Sequence, residues 1–116
     1  MSERRGNLSV HTTHADGGAL VELSGEVDLR SSPDLHGRLI EISDTRPAHL
    51  ILELSGVNYM DSSGVGTMVD LKRRVEGGGG RFVLVGLQPR VRSVLEITQL
   101  DKFFTITSTV DEARKR

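Results

Sequence analysis

The apolar run Leu50-Ile51-Leu52-Glu53-Leu54, and the stretch Tyr59-Met60-Asp61-Ser62-Ser63-Gly64-Val65-Gly66-Thr67 that follows it, constrain this chain more than any other part. A near-continuous apolar strand over residues 49–54 is usually buried on both faces, as in a parallel or mixed sheet. A helix is expected directly after it, over residues 62–76. Asp61 is well placed to cap that helix, since its carboxylate can accept from the free N–H groups of the first turn. Ser62 then stands at the helix start with its hydroxyl near the surface. A phosphate there would face open N–H donors and the positive end of the helix dipole. Gly64 and Gly66 leave room for another backbone to come close. Ser, Thr and Asp are common at helix starts for capping alone, and spacing by itself favours that simpler role.

The rest of the chain reads as alternating strands and helices, an α/β class. Residues 1–7 are expected to be a flexible tail and residues 8–116 one domain, which suits a length of 116 residues. Leu8-Ser9-Val10-His11-Thr12-Thr13 alternates like a half-buried strand, Asp16-Gly17-Gly18 supplies a turn, and Ala19-Leu20-Val21-Glu22-Leu23 completes an antiparallel hairpin. Ser31-Ser32-Pro33-Asp34 reads as a helix start with a hydroxyl cap, and Leu35, Leu39 and Ile42 share one face of that helix. Arg46-Pro47 ends it. Val65, Met68, Val69 and Val75 form the expected core stripe of the second helix. Lys72-Arg73-Arg74 reads as a basic end that complements the helix dipole, with a binding patch as the alternative, and four glycines from Gly77 close the helix. Arg81-Phe82-Val83-Leu84-Val85-Gly86 is a buried strand, and Val91, Val94 and Leu95 share a face of a third helix. A short edge strand is expected near Ile106, and Thr109-Val110-Asp111-Glu112 is a capping box for a final helix, expected to be short.

Composition narrows the function. Aromatic residues make up only 3% of the chain, so aliphatic side chains must build the core. A net charge of −1 gives no support to phosphate neutralisation and nucleic-acid binding. The absence of cysteine excludes disulfides and thiolate metal sites. No apolar run reaches membrane-span length, and the charged first residues are not followed by the apolar core of a secretory signal. A cytoplasmic domain is expected. His11, His14, His36 and His49 lack metal-ligand spacing. Ser62 lacks the Gly-x-Ser-x-Gly elbow of a hydrolase nucleophile, and Gly64-Val65-Gly66 lacks the third glycine and the lysine of nucleotide loops. No cofactor is expected. Asp28 and Asp61 are expected at the carboxyl edge of the sheet, where open α/β folds place their sites.

The segment from Leu54 through Asp61-Ser62-Ser63-Gly64 to Gly66 resembles the signature of the STAS domain, most of all the free-standing anti-sigma factor antagonists. Ser24-Gly25-Glu26-Val27-Asp28 and the later order of elements are similar to that family too, so the resemblance spans roughly residues 8–115. Glu53 departs from it, standing where a smaller polar residue is common, and is expected at the strand's end near the Ser62 loop. The resemblance implies a mixed, mainly parallel sheet of four to five strands with an N-terminal antiparallel hairpin and about four helices. It implies a binding module rather than an enzyme: phosphorylation at Ser62, with Ser63 as the alternative, and docking through Asp28, Asp61, Ser62, Ser63, Gly64, Val65 and Thr67. The implied partners are an anti-sigma factor that is a GHKL-type serine kinase and a PP2C-type phosphatase, with the domain a monomer. A constitutive scaffold, as in stressosome-like or lipid-transport assemblies, is the alternative function.

Overall fold

The computed structural model describes the backbone of residues 2–5 and 7–116, and the side chains of residues 7–116. Among the described residues six strands form one sheet in sequential order: β1 (Ser2–Arg5), β2 (Leu8–Ala15), β3 (Gly18–Val27), β4 (His49–Met60), β5 (Arg81–Val85) and β6 (Thr105–Thr107). The helices are α1 (Ser32–Asp44), α2 (Ser62–Gly77), α3 (Pro89–Ile97) and α4 (Val110–Arg114). The first three strands run antiparallel to one another, and from β3 onward neighbours are parallel. The fold is mixed α/β, as the sequence implies.

The hairpin between β2 and β3 turns on Asp16 and Gly17, both at positive φ, with Ala15 paired to Gly18. That is the two-residue loop whose twist matches right-twisted strands. Leu50, Ile51 and Leu52 are each at most 1% exposed, so β4 is indeed covered on both sides. Leu50, Leu52 and Leu54 join Leu35, Leu39 and Ile42 of α1, Val65, Met68, Leu71 and Val75 of α2, and Val91 and Leu95 of α3 in the main core. Ile51 points the other way, with Val83 and Val85, under Ala113 of the short α4. Leu71 belongs to the α2 stripe, while Val69 is only half-buried.

Three expectations need correction. Ser2–Arg5 is an edge strand rather than part of a tail. The outer edge of β2 offers unpaired backbone groups, and this segment pairs with them. The expectation for Met1 and Gly6 lies outside the described residues. The strand expected over residues 49–54 does not end at Leu54, because β4 runs on through Ser55-Gly56-Val57-Asn58 to Met60, with two register shifts against β3. Glu22 pairs with Glu53 but Ser24 with Gly56, and Gly25 pairs with Val57 but Glu26 with Tyr59. Each shift places one extra residue on β4, a β-bulge. Glu53 therefore lies mid-strand, not beside Ser62. Its carboxylate accepts from the Ser55 N–H at 3.0 Å and the Ser55 hydroxyl at 2.8 Å, which pins the first bulge. The Gln88 amide holds the same bulge from α3 by donating to the Ser55 carbonyl at 2.6 Å.

Candidate functional site

Val27 and Met60 are register partners at the ends of two parallel strands. The Asp61 N–H donates to the Val27 carbonyl at 3.1 Å, so the chain leaves both strands at one level. Two helices then start side by side at the carboxyl edge of the sheet, the usual place for a site in an open α/β fold.

The first connection is held by Asp28. Its carboxylate accepts from the backbone N–H of Arg30 at 2.9 Å and of Ser31 at 3.1 Å. The Ser31 backbone bond is the main cause that holds its carboxyl below the ordinary range, with Arg30 adding to it. Ser31 does not cap α1 through its hydroxyl, contrary to expectation. Its backbone is already helical there, and the hydroxyl turns back to donate to the Glu26 carbonyl at 3.0 Å.

Asp61 caps α2 as expected, accepting from the Ser63 N–H at 2.9 Å and also from the Ser63 hydroxyl. Its carbonyl takes the N–H groups of Gly64 and Val65. Asp28 and Asp61 thus stand at neighbouring strand ends, but each closes its own turn. Ser62 is exposed, and its hydroxyl is hydrogen-bonded to none of the described residues. Ser63 is half-buried and engaged on both sides: its oxygen also lies 2.8 Å from the hydroxyl of Ser32, which is 4% exposed at the start of α1. No local pattern reveals that contact, since 31 residues separate the partners.

The remaining expected docking residues face inward. Gly64 is buried, and a Cβ on it would come within 2.7 Å of Met60 and Val27 side chains. Side chains, not another backbone, thus fill the space beside it. Val65 is in the core, and Thr67 is 7% exposed with its hydroxyl donating to the Ser63 carbonyl at 3.1 Å. Helical phase puts Val65 on the sheet side, and Thr67, two residues on, turns toward α1. Gly66 faces out, with nothing near it. It lines an open groove of about 530 Å³ between α1 and α2, together with Ser32, Pro33, His36, Thr67 and Asp70. Across the groove His36 Nε2 lies 2.6 Å from Asp70, and Arg74 donates to the same carboxylate oxygen at 2.9 Å. The His36 bond first, then Arg74, holds the Asp70 carboxyl below its ordinary range. Leu29, in the connection after β3, is 76% exposed, an apolar side chain the sequence gives no reason to single out. Among the described residues no three His, Asp or Glu side chains converge to hold a metal, and no helix is long and apolar enough to cross a membrane.

The sequence pattern that defines the STAS domain matches residues 9–113. The chain belongs to the STAS domain family. This STAS domain is 30% identical over 101 residues to a Paenibacillus polymyxa protein named anti-sigma F factor antagonist, with 86% of each chain covered. Its fold is similar to the crystal structure of an anti-sigma factor antagonist from Mycobacterium paratuberculosis, with a TM-score of 0.85, 27% identity and coverage of 93% of this chain and 92% of that one. It is also similar to the anti-sigma factor antagonist SpoIIAA in its unphosphorylated form, with a TM-score of 0.76, 25% identity and coverage of 92% and 94%.

Proposed function

We propose that this STAS domain is a cytoplasmic anti-sigma factor antagonist, a binding module and not an enzyme, switched by phosphorylation at Ser62. The observation that carries the reading is the contrast at the start of α2. There Ser62 is exposed with an unengaged hydroxyl, on a turn that the Asp61 cap holds rigid. A kinase needs an accessible hydroxyl in a fixed position, and a capped helix start provides one. The names of its relatives support the anti-sigma factor antagonist part of this reading.

In the unmodified state the domain docks on an anti-sigma factor, and that docking frees the sigma factor. The docked surface is the edge around Ser62, with the outward residues of α2. The anti-sigma factor is itself a GHKL-type serine kinase. In the transfer, Ser62 Oγ bonds to the γ-phosphorus of ATP as the bond to the departing ADP oxygen breaks, and the hydroxyl proton leaves to a base on the kinase. A PP2C-type phosphatase hydrolyses the ester and restores the docking form. The added charge of about −1.5 to −2 explains why docking is lost. Against one acidic partner group about 6 Å away, each unit of charge costs at most about 3 kcal/mol at an effective dielectric near 20. A loss of about 1.4 kcal/mol already weakens binding tenfold. The helix dipole favours the phosphate, so the fold survives the modification.

The test is site-mapping mass spectrometry of the purified domain after incubation with ATP and the candidate kinase, alongside Ser62→Ala and Ser63→Ala. One added phosphate, absent only from Ser62→Ala, is the expected result. Ser62→Ala should retain docking and escape the switch, and Ser62→Asp should dock more weakly. Equal kinase affinity of wild type and Ser62→Asp would count against the mechanism.

A further inference from the structure

Two serines stand side by side at the start of α2, and only one is free. The Ser62 hydroxyl has no hydrogen-bond partner among the described residues. Ser63 has two. Its single hydroxyl proton goes to the Asp61 carboxylate, the charged acceptor. The Ser32 hydroxyl, 2.8 Å away, must then be the donor in its own contact with Ser63 Oγ. The proton order is thereby fixed: Ser32 to Ser63, and Ser63 to Asp61. One lone pair of Ser63 is occupied and its proton is held, between α1 and the cap.

We propose that Ser32 is a specificity-determining residue. By donating to Ser63 Oγ it ties the second serine to α1 and leaves Ser62 as the single acceptor of the phosphoryl group. The inference rests on the reading of Ser62 as the modified residue. Three observations favour it over packing alone. Ser32 is 4% exposed, and Ser63 Oγ is the partner its hydroxyl finds. Ser32 also lines the α1–α2 groove, so it sits within reach of anything that docks there. Finally, the same Asp61 carboxylate oxygen takes both the hydroxyl and the N–H of Ser63. A phosphate on Ser63 would have to displace that carboxylate from the helix cap and Ser32 from its donor position together. On Ser62 it displaces neither.

Tagged domain is expressed in its own cells as wild type, Ser62→Ala, Ser32→Ala/Ser62→Ala and Ser32→Thr/Ser62→Ala, and phosphosites are mapped by mass spectrometry. Ser62→Ala should carry no phosphate. Ser32→Ala/Ser62→Ala should gain phosphate at Ser63, where Ser62→Ala has none. Ser32→Thr/Ser62→Ala, which restores a hydroxyl donor, should be silent again. Phosphate on Ser63 in Ser62→Ala alone would overturn the proposal. So would a silent Ser63 in the double alanine variant. A second arm needs no kinase: side-chain couplings of Ser63 measured by NMR on the purified domain. Wild type and Ser32→Thr should show one Ser63 rotamer and Ser32→Ala an averaged set. An unchanged rotamer in Ser32→Ala overturns the hold of Ser32 on Ser63. A wild type with no phosphate, together with rotamer averaging in Ser32→Ala, would refute the phosphorylation reading while upholding that hold.

Discussion

Gly64 and Gly66 lie two residues apart on α2, and the same substitution should change stability in opposite directions at the two. A Cβ on Gly64 would lie 2.7 Å from Met60 Cγ and 2.7 Å from Val27 Cγ1. These side chains come from two different strands and are at most 3% exposed, so neither can swing aside into solvent. The valine is also stiff at χ1. Overpacking of this kind costs about 1–3 kcal/mol. Replacing glycine by alanine inside a helix returns about 1 kcal/mol. Gly64→Ala should therefore destabilise by about 0–2 kcal/mol. At Gly66 nothing lies within 4 Å of the added methyl, so only the propensity gain remains, up to about 1 kcal/mol of stabilisation. For a domain of this size 1 kcal/mol moves Tm by about 4 °C. Urea unfolding followed by circular dichroism, with m unchanged across the series, measures the difference. If Gly64→Ala raises the midpoint as much as Gly66→Ala does, the close approach beneath the first turn of α2 is not real.

Asp61→Ala removes the cap from Ser63 N–H and the acceptor of its hydroxyl. It should cost about 1–2 kcal/mol, read from the same urea midpoint. Asp70→Asn should cost about 0.5–1 kcal/mol at neutral pH, since the pair with His36 is half-exposed. The depressed carboxyl of Asp70 stabilises the fold above the ordinary carboxylate range and loses that contribution as pH falls through its lowered value. The gap between Asp70→Asn and wild type should therefore close below about pH 4. Burial first, then Arg81 and Arg114, pushes the His49 pKa down. The unfolded chain takes up that proton sooner, so wild type should lose stability as pH falls through about 6.5 and His49→Gln should show a flatter profile.

Much of this architecture was legible from short-range pattern. Leu35, Leu39 and Ile42 face the core at helical spacing, and the run Leu50-Ile51-Leu52 is buried on both sides. Asp16-Gly17 made the hairpin readable because few residue pairs accept positive φ twice. The continuation of β4 was not legible. Ser55-Gly56-Val57-Asn58 has the composition of a loop, and only pairing with β3 makes it a strand. Ser2–Arg5 is strand for the same reason, since its partner and not its side chains decides. At the site, Asp61 was readable because a cap is a local device. Helical phase already put Val65 in the core stripe, which conflicts with its expected place on a docking surface. The Ser32–Ser63 contact had no local signature, because it joins the starts of two helices.

The two bulges in β4 also set which length changes the strand can absorb. Counting inward-facing residues, Leu54 is followed by Val57 and then Met60, steps of three where a regular strand steps by two. Each bulge shifts the alternation by one place. Loss of one residue between Leu54 and Asp61 that leaves both bulges in place would turn Met60 outward and Tyr59 in, because a slip of one exchanges the faces of a strand. Gly64 would lose the side chain it packs on, and Ser62 its level relative to Val27. Removal of the extra residue at either bulge instead heals that bulge into regular pairing and leaves Met60 facing in. A one-residue deletion should therefore be tolerated at a bulge and not elsewhere in this stretch.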